Sequence, residues 1–418
     1  MKIKANSLKS TFILIELLLP VIVCIGNFMQ NSFLISIAFL CTFAVLMLFL
    51  VQQSHGGKFN VILSILVMLS VINVVFNAMI SPVAQISFDY MKKLIMFICS
   101  ITFFVLMRDA QIIEKDKEIA YRAGLAITFL FPFAYFVLNI RTKLGFYLTM
   151  GFTNPNFTAL WAFHGFLFAM IALFRNSRLW LKVVCAAGAI ACLYIASLTL
   201  NRAIWIAFAC FIGLLLYGIV GRKRSLNPIA LTLIIVLPII VVIIYHALLE
   251  SSAFQRAFSF LVSKGKVLDS RTRVWDFAVE KLKHGWLLGD YSGISNGTGL
   301  SQMHNTHLDV LCSYGIIPFC LFIYVLRSIA VTINASSKTL EQYVSLCAFL
   351  SVILFGVFEA ALFSGCTGLN YLTGAFLILA KPIYEENSIC SSNAWSDSGI
   401  ETDKQMDVDR RISPQEDS

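Results

Sequence analysis

Runs of about 18 or more apolar residues recur along most of this chain, and each is long enough to cross a bilayer. Of the 418 residues, 58% are hydrophobic and 13% charged, against about 25% charged in a soluble domain. The runs are continuous and do not alternate, which disfavours a β-barrel. The fold expected is therefore an all-α, polytopic membrane protein of about twelve helices. The spans read as 11–29, 33–52, 60–80, 93–108, 119–139, 157–174, 179–197, 203–220, 229–249, 308–327, 341–362 and 368–381. The start, "MKIKANSLKSTFILIELLLPVIVCIGNFM", is basic but carries no small-x-small cleavage site, so it reads as a first transmembrane helix.

Basic residues orient the spans. One set of short loops holds Lys2, Lys4 and Lys9; Lys58; Arg108, Lys115, Lys117 and Arg122; Arg175, Arg178 and Lys182; Arg222, Lys223 and Arg224; Arg327 and Lys338. The alternate loops hold fewer: Lys92, Lys93, Arg141, Lys143 and Arg202. Both termini are expected in the cytoplasm, and the net charge of +9 is mostly an orientation signal, not a nucleic-acid footprint. One long loop, about 250–308, then falls on the outer face. The tail beyond 381 is acidic, Ser-rich and aperiodic, and reads as a disordered cytoplasmic extension over 382–418. The eleven cysteines lie mostly in apolar runs without CxxC spacing, as small buried hydrophobes do.

Polar residues gather toward the outer face. Arg202 in "LTLNRAIWIAF" is either a snorkelling interfacial arginine or a group facing a cavity. In "LDSRTRVWDFAVEKLKHGWLLGD", a helical reading puts Val274, Trp275, Ala278 and Leu282 on one side, which suits a helix lying in the headgroup plane. Arg271 and Arg273 at its start have the forked geometry that grips a diphosphate; the plainer reading is a solvated amphipathic lid. "MHNTHLDVLCSYGIIPF" places His304, His307 and Leu311 on one face if a helix begins near His304. Histidine titrates near neutrality and accepts a proton from a hydroxyl, and Asn305 can orient it or a substrate. Two histidines without a third ligand in register argue against a metal. In "GFTNPNFTALW", Asn154, Pro155 and Asn156 form a turn, with Asn156 or Thr158 available as a helix cap. Glu359 is an acid inside an apolar run near its outer end; Glu16 is another, with no obvious neighbour.

In their order and spacing these segments resemble the O-antigen ligase and polymerase superfamily, from about Asn154 to about Glu359. "FTNPNFTA" resembles the family's asparagine-rich segment. "LNRAIWIAF" resembles S-R-x-x-W-L-A, with Arg202 at the arginine and Asn201 in place of the usual Ser. "SRTRVWDFAVEKLKHGWLLGDYSG" resembles R-x-x-x-W-x-x-A, with Arg271 at the family arginine. "HNTHLDVLCSYGIIPF" resembles H-N-x-x-L-x-x-L-x-x-x-G-x-x-G, with His304 at the histidine and Pro318 where a glycine is common. Glu359 stands where the family tends to carry an acid.

The resemblance implies a transmembrane glycosyltransferase domain over 1–381, working on the periplasmic side of the inner membrane. The donor would be a glycan on undecaprenyl diphosphate. The acceptor would be a sugar hydroxyl, on lipid A-core for a ligase or on a second lipid-linked glycan for a polymerase. The ligase is favoured by the single large outer loop. It further implies His304 as general base, Glu359 orienting it, and Arg202, Arg271 and Arg273 on the diphosphate. Asn154, Asn156, Asn305 and His307 would line the substrate. No cofactor or metal is implied. A flippase or transporter is the alternative from another class, and Glu16 is the feature that suits it.

Overall fold

The computed structural model describes residues 2–30, scattered positions between 61 and 75, 88–221, 224–251, 269–287, 289, 303–337, 339–359 and 367–384. The second predicted span, most of the third, parts of the long loop and most of the tail lie outside the described residues. The protein is an all-α membrane protein, about 80% helical. Its helices are α1 (Lys2–Phe28), α2 (Phe88–Asp109), α3 (Glu114–Pro132, continued by a π-helical turn Phe133–Val137), α4 (Pro155–Arg175), α5 (Leu179–Leu198), α6 (Arg202–Val220), α7 (Pro228–Glu250), α8 (Asp269–Gly285), α9 (Thr306–Tyr314), α10 (Ile316–Ser336), α11 (Leu340–Phe355) and α12 (Thr367–Ala380). A two-stranded hairpin, β1 (Lys143–Leu144) and β2 (Tyr147–Leu148), joins α3 to α4.

Among the described residues, six helices are long and apolar enough to cross a membrane: Glu114–Val137, Pro155–Arg175, Leu179–Leu198, Arg202–Val220, Pro228–Leu248 and Ile316–Ser336. The apolar stretches Ile13–Phe28, Phe97–Arg108, Leu340–Phe355 and Leu369–Ala380 are shorter.

Composition sorts the helices by depth in the bundle. α4 and α11 are apolar on every side, and such helices sit inside. In α11, every residue from Gln342 to Phe355 is buried. Phe163 and Phe166 of α4 meet Phe208 of α6 edge-on at 4.9 and 4.7 Å, and Phe168 meets Phe376 of α12 at 4.5 Å. Lipid is as apolar as these side chains, so close packing and internal hydrogen bonds hold the bundle. The contact of α6 with α11 is an example. Gly218 lets the Tyr343 ring lie against the α6 backbone, and the Tyr343 hydroxyl donates to the Leu214 carbonyl at 2.6 Å.

The helix ends form two polar layers. At one end, Ser10 donates to Asp116, and Arg175 pairs with Glu114, Glu118 and Glu341. Gln342 donates to the Lys381 carbonyl, while Lys381 donates to the carbonyls of Arg108 and Ala110. Asn334 exchanges bonds with the Leu226 backbone. At the other end, Phe28 packs edge-on against Phe152, Thr158 donates to the Thr149 carbonyl, and the turns before α4, α6 and α9 meet the turn after α11.

Several expected boundaries move. The predicted span 308–327 is two helices, α9 and α10. Gly315 between them has φ +83° and ψ 179°, a conformation essentially confined to glycine, and it breaks the helix. As α10 runs on to Ser336, Arg327 lies within it and not in a loop, donating to Thr232 of α7 at 3.0 Å. The predicted span 341–362 stops being helical at Phe355, so Glu359 sits in a turn past the helix. The amphipathic helix of the long loop does form as α8, but not with its apolar side toward lipid. Val274, Trp275 and Ala278 pack on Val242 of α7, Met303, and Leu308 and Cys312 of α9.

Candidate functional site

Asparagine begins the helices around this site. It caps well because its short amide accepts from the free N–H groups of a first turn. Asn154 caps α4, accepting from the Asn156 N–H at 2.9 Å, so Asn154 fills the capping role expected of Asn156 or Thr158. Thr158 instead donates to the Thr149 carbonyl at 2.5 Å. Asn201 caps α6 through Ala203 N–H at 2.8 Å. Asn305 caps α9 through Leu308 N–H at 2.9 Å.

With the caps taken by their neighbours, Asn156 is free to point elsewhere. Its Nδ2 donates to Glu359 Oε1 at 2.6 Å, and its Oδ1 accepts from Asn201 Nδ2 at 2.9 Å. The other carboxylate oxygen, Glu359 Oε2, lies 3.0 Å from His304 Nδ1. A chain of hydrogen bonds thus runs Asn201–Asn156–Glu359–His304, linking residues far apart in sequence. The Glu359 side chain is 5% exposed and that of His304 16%. A buried carboxylate must be satisfied by donors, and these amides and the imidazole supply them. Asn156 in the first turn of α4 and His304 just before α9 bring two helix N-termini to this carboxylate, which also favours negative charge there.

The turn around His304 is stitched to the turn after α11. Thr306 N–H donates to the Gly356 carbonyl at 2.9 Å and its hydroxyl to the Glu359 carbonyl at 3.1 Å. Asn305 Nδ2 donates to the carbonyls of Val357 and Pro238, at 2.9 and 2.8 Å. His304 itself has φ +50°, left-handed backbone that a non-glycine residue adopts at a cost. With Glu359 as a carboxylate and His304 as a neutral imidazole, the bond requires the proton on Nδ1 and leaves a lone pair on Nε2. No hydrogen bond engages Nε2 among the described residues.

His304 and His307 do not share a face, contrary to the expectation from their spacing. The helix starts two residues later than that reading requires, and left-handed His304 precedes it. His307 is 1% exposed, holds the Ile235 carbonyl at 2.6 Å and lies edge-on to Phe322. It joins α9 to α7, and Asn305 does the same through Pro238. α7 continues twelve residues past Pro238 to Glu250, about 18 Å of helix standing beside the His304 turn.

Arg202 follows Asn201 directly in the first turn of α6. It is exposed, and no partner engages its guanidinium among the described residues. Arg271 and Arg273 occupy the start of α8, with side chains outside the described ones. Their helix is tied to the site: the Trp275 indole N–H donates to the Met303 carbonyl at 3.1 Å, one residue before His304. Asp276 of α8 also lies 3.4 Å from His246 of α7.

Three participants escaped the sequence reading of the site. Asn201 stood out only as a departure from the family serine, although an asparagine directly before an apolar helix is a cap signal. Thr306 gave no signal, and Trp275 was legible only as the motif tryptophan on the apolar side of its helix, not as an anchor of the His304 turn, since both roles depend on carbonyls distant in sequence or bared by a turn. Among the described residues, no group of three His, Cys, Asp or Glu converges on one point. Chemically, the arrangement offers an imidazole nitrogen oriented by a carboxylate, at helix N-termini that suit an anion, with exposed Arg202 one residue along the chain from Asn201. No family model matches the chain, and neither a curated protein nor a solved structure matches it.

Proposed function

We propose that this protein is a membrane glycosyltransferase of the O-antigen ligase type. It would move a glycan from undecaprenyl diphosphate to a sugar hydroxyl of lipid A-core on the periplasmic face. The observation that carries this reading is the His304–Glu359 pair, held by Asn156 and Asn201, with no hydrogen bond to Nε2 among the described residues. Such an imidazole takes the proton of an attacking hydroxyl, and the carboxylate stabilises the imidazolium that results. Glu359 therefore acts by positioning and charge, and His304 is the base.

The leaving diphosphate gains charge as the glycosidic bond breaks. Arg202, with Arg271 and Arg273 brought by α8, would stabilise that charge more in the transition state than in the ground state. The N-termini of α4, α6 and α9 add fixed positive dipoles. The wall of α7 and α8 would restrict water, limiting hydrolysis of the donor. Twelve spans, cytoplasmic termini and a periplasmic long loop belong to the same proposal. It is supported by the basic residues Arg108, Arg175, Arg178 and Arg224, which lie near the helix ends opposite His304.

The test is reconstitution of the purified protein with a polyprenyl-diphosphate glycan and lipid A-core, without nucleotide or gradient. Wild type should transfer glycan, and His304→Ala should lower the rate by about 10²- to 10⁴-fold. Arg271→Lys should cost about tenfold or more, because an ammonium does not reproduce a guanidinium fork. Equal transfer by wild type and His304→Ala would remove the base assignment. Polymer growth on the lipid carrier with no use of lipid A-core would make the enzyme a polymerase instead.

A further inference from the structure

A second polar group, sharing no residue with the His304 chain, lies within the bundle. Glu16 of α1 is 0% exposed, and neither carboxyl oxygen has a hydrogen-bond partner among the described residues. It sits six residues from Ser10 and eleven from Asn27, roughly 9 and 16 Å along the helix from the two polar layers. That places it at hydrocarbon depth.

Its surroundings are mostly apolar, with a few neutral polar groups among the described residues. Cys99 of α2 and Tyr371 of α12 are within electrostatic reach of the carboxyl. Next to them in sequence, Asn370 Nδ2 donates to Ser100 Oγ at 2.6 Å. One turn along α2 from Cys99, the Thr102 hydroxyl is also buried and also lacks a partner among the described residues. Among the described residues, three charged groups of the packed helices are engaged at the bundle end. Asp116 of α3 accepts from Ser10, Lys117 donates to the Leu379 carbonyl, and Lys381 after α12 donates to Arg108 and Ala110. His164 of α4 is held by the Leu160 carbonyl and Thr373.

An ionised carboxylate without a partner at this depth costs several kcal/mol, and burying any polar group unbonded is also unfavourable. A cation on the carboxyl oxygens removes that cost, and oxygen donors select a proton or a hard alkali cation over a soft metal. We propose that Glu16 is an intramembrane cation site between α1, α2 and α12, binding a proton or sodium. It stands apart from the transferase reading and does not depend on it.

The experiment uses the full-length wild-type protein in liposomes and N,N′-dicyclohexylcarbodiimide, which attacks protonated carboxyls in apolar surroundings. Mass spectrometry reads the adduct on the peptide bearing Glu16 across a pH series, in sodium or in choline, with Glu16→Gln as the labelling control. A proton site predicts equal labelling in both salts, falling about tenfold per pH unit above its midpoint. A sodium site predicts the same fall in choline and suppression by sodium at fixed pH. Absence of adduct at every pH, or labelling indifferent to both pH and sodium, overturns the proposal.

Discussion

His304 keeps a left-handed backbone conformation although it is not glycine, and that strain is tolerated because the flanking turns are cross-bonded. Two substitutions separate the backbone from the side chain. His304→Gly and His304→Ala both delete the imidazole, but glycine accepts φ +50° freely. The glycine variant should be the more stable by about 1 kcal/mol in denaturant-free thermal unfolding. Equal melting of the two would mean that the turn is not strained. Glu359→Gln tests the carboxylate. Asn156 and His304 both donate to it, and an amide offers only one accepting oxygen, so one donor loses its acceptor. Transfer should fall by about tenfold or more while the protein stays folded, since a neutral amide does not stabilise an imidazolium. The residue types at this site were readable from sequence, because acids and histidines in apolar runs are conspicuous. Their partners were not. Asn156 looked like a cap until Asn154 took that role and freed its side chain for Glu359.

Among the elements, the junction of α9 and α10 departs most from periodicity. A hydropathy reading joins them, since nothing in "VLCSYGIIPF" is charged. Gly315 separates them, at φ +83° with ψ near 180°. Gly315→Ala should therefore destabilise the protein by about 1–3 kcal/mol, seen as a lower melting temperature. The same break lets short α9 carry the His304 turn against α7 while α10 crosses the bundle. α8 shows a different limit of sequence reading. Its amphipathic pattern was legible, but a stripe of Val274, Trp275 and Ala278 fits a lipid surface and a protein groove equally well. Trp275→Phe keeps most of the packing and deletes the bond to the Met303 carbonyl. A loss of about 1 kcal/mol is expected, and wild-type melting in this variant would show that the indole N–H does not anchor the turn.

For the whole molecule, the two polar layers predict sidedness. Lys143, in strand β1 of the hairpin, and Arg178, before α5, belong to opposite ends and are both exposed. In intact cells, an impermeant maleimide should label Lys143→Cys above the parent protein once the outer membrane is permeabilised, and should label Arg178→Cys only after lysis. Labelling of both without lysis would break the proposed topology. What the sequence determined by itself was the class of fold and the position of most helices. Bilayer thickness and backbone hydrogen bonding leave a chain of long apolar runs few options but helices, and basic residues bias which ends lie together. What only the tertiary structure decided was which polar side chains meet. Asn201, Asn156, Glu359 and His304 lie on four separate segments, and their hydrogen bonds extend over only about 3 Å. Contacts of that reach depend on helix rotation and turn geometry, and hydropathy carries no record of either.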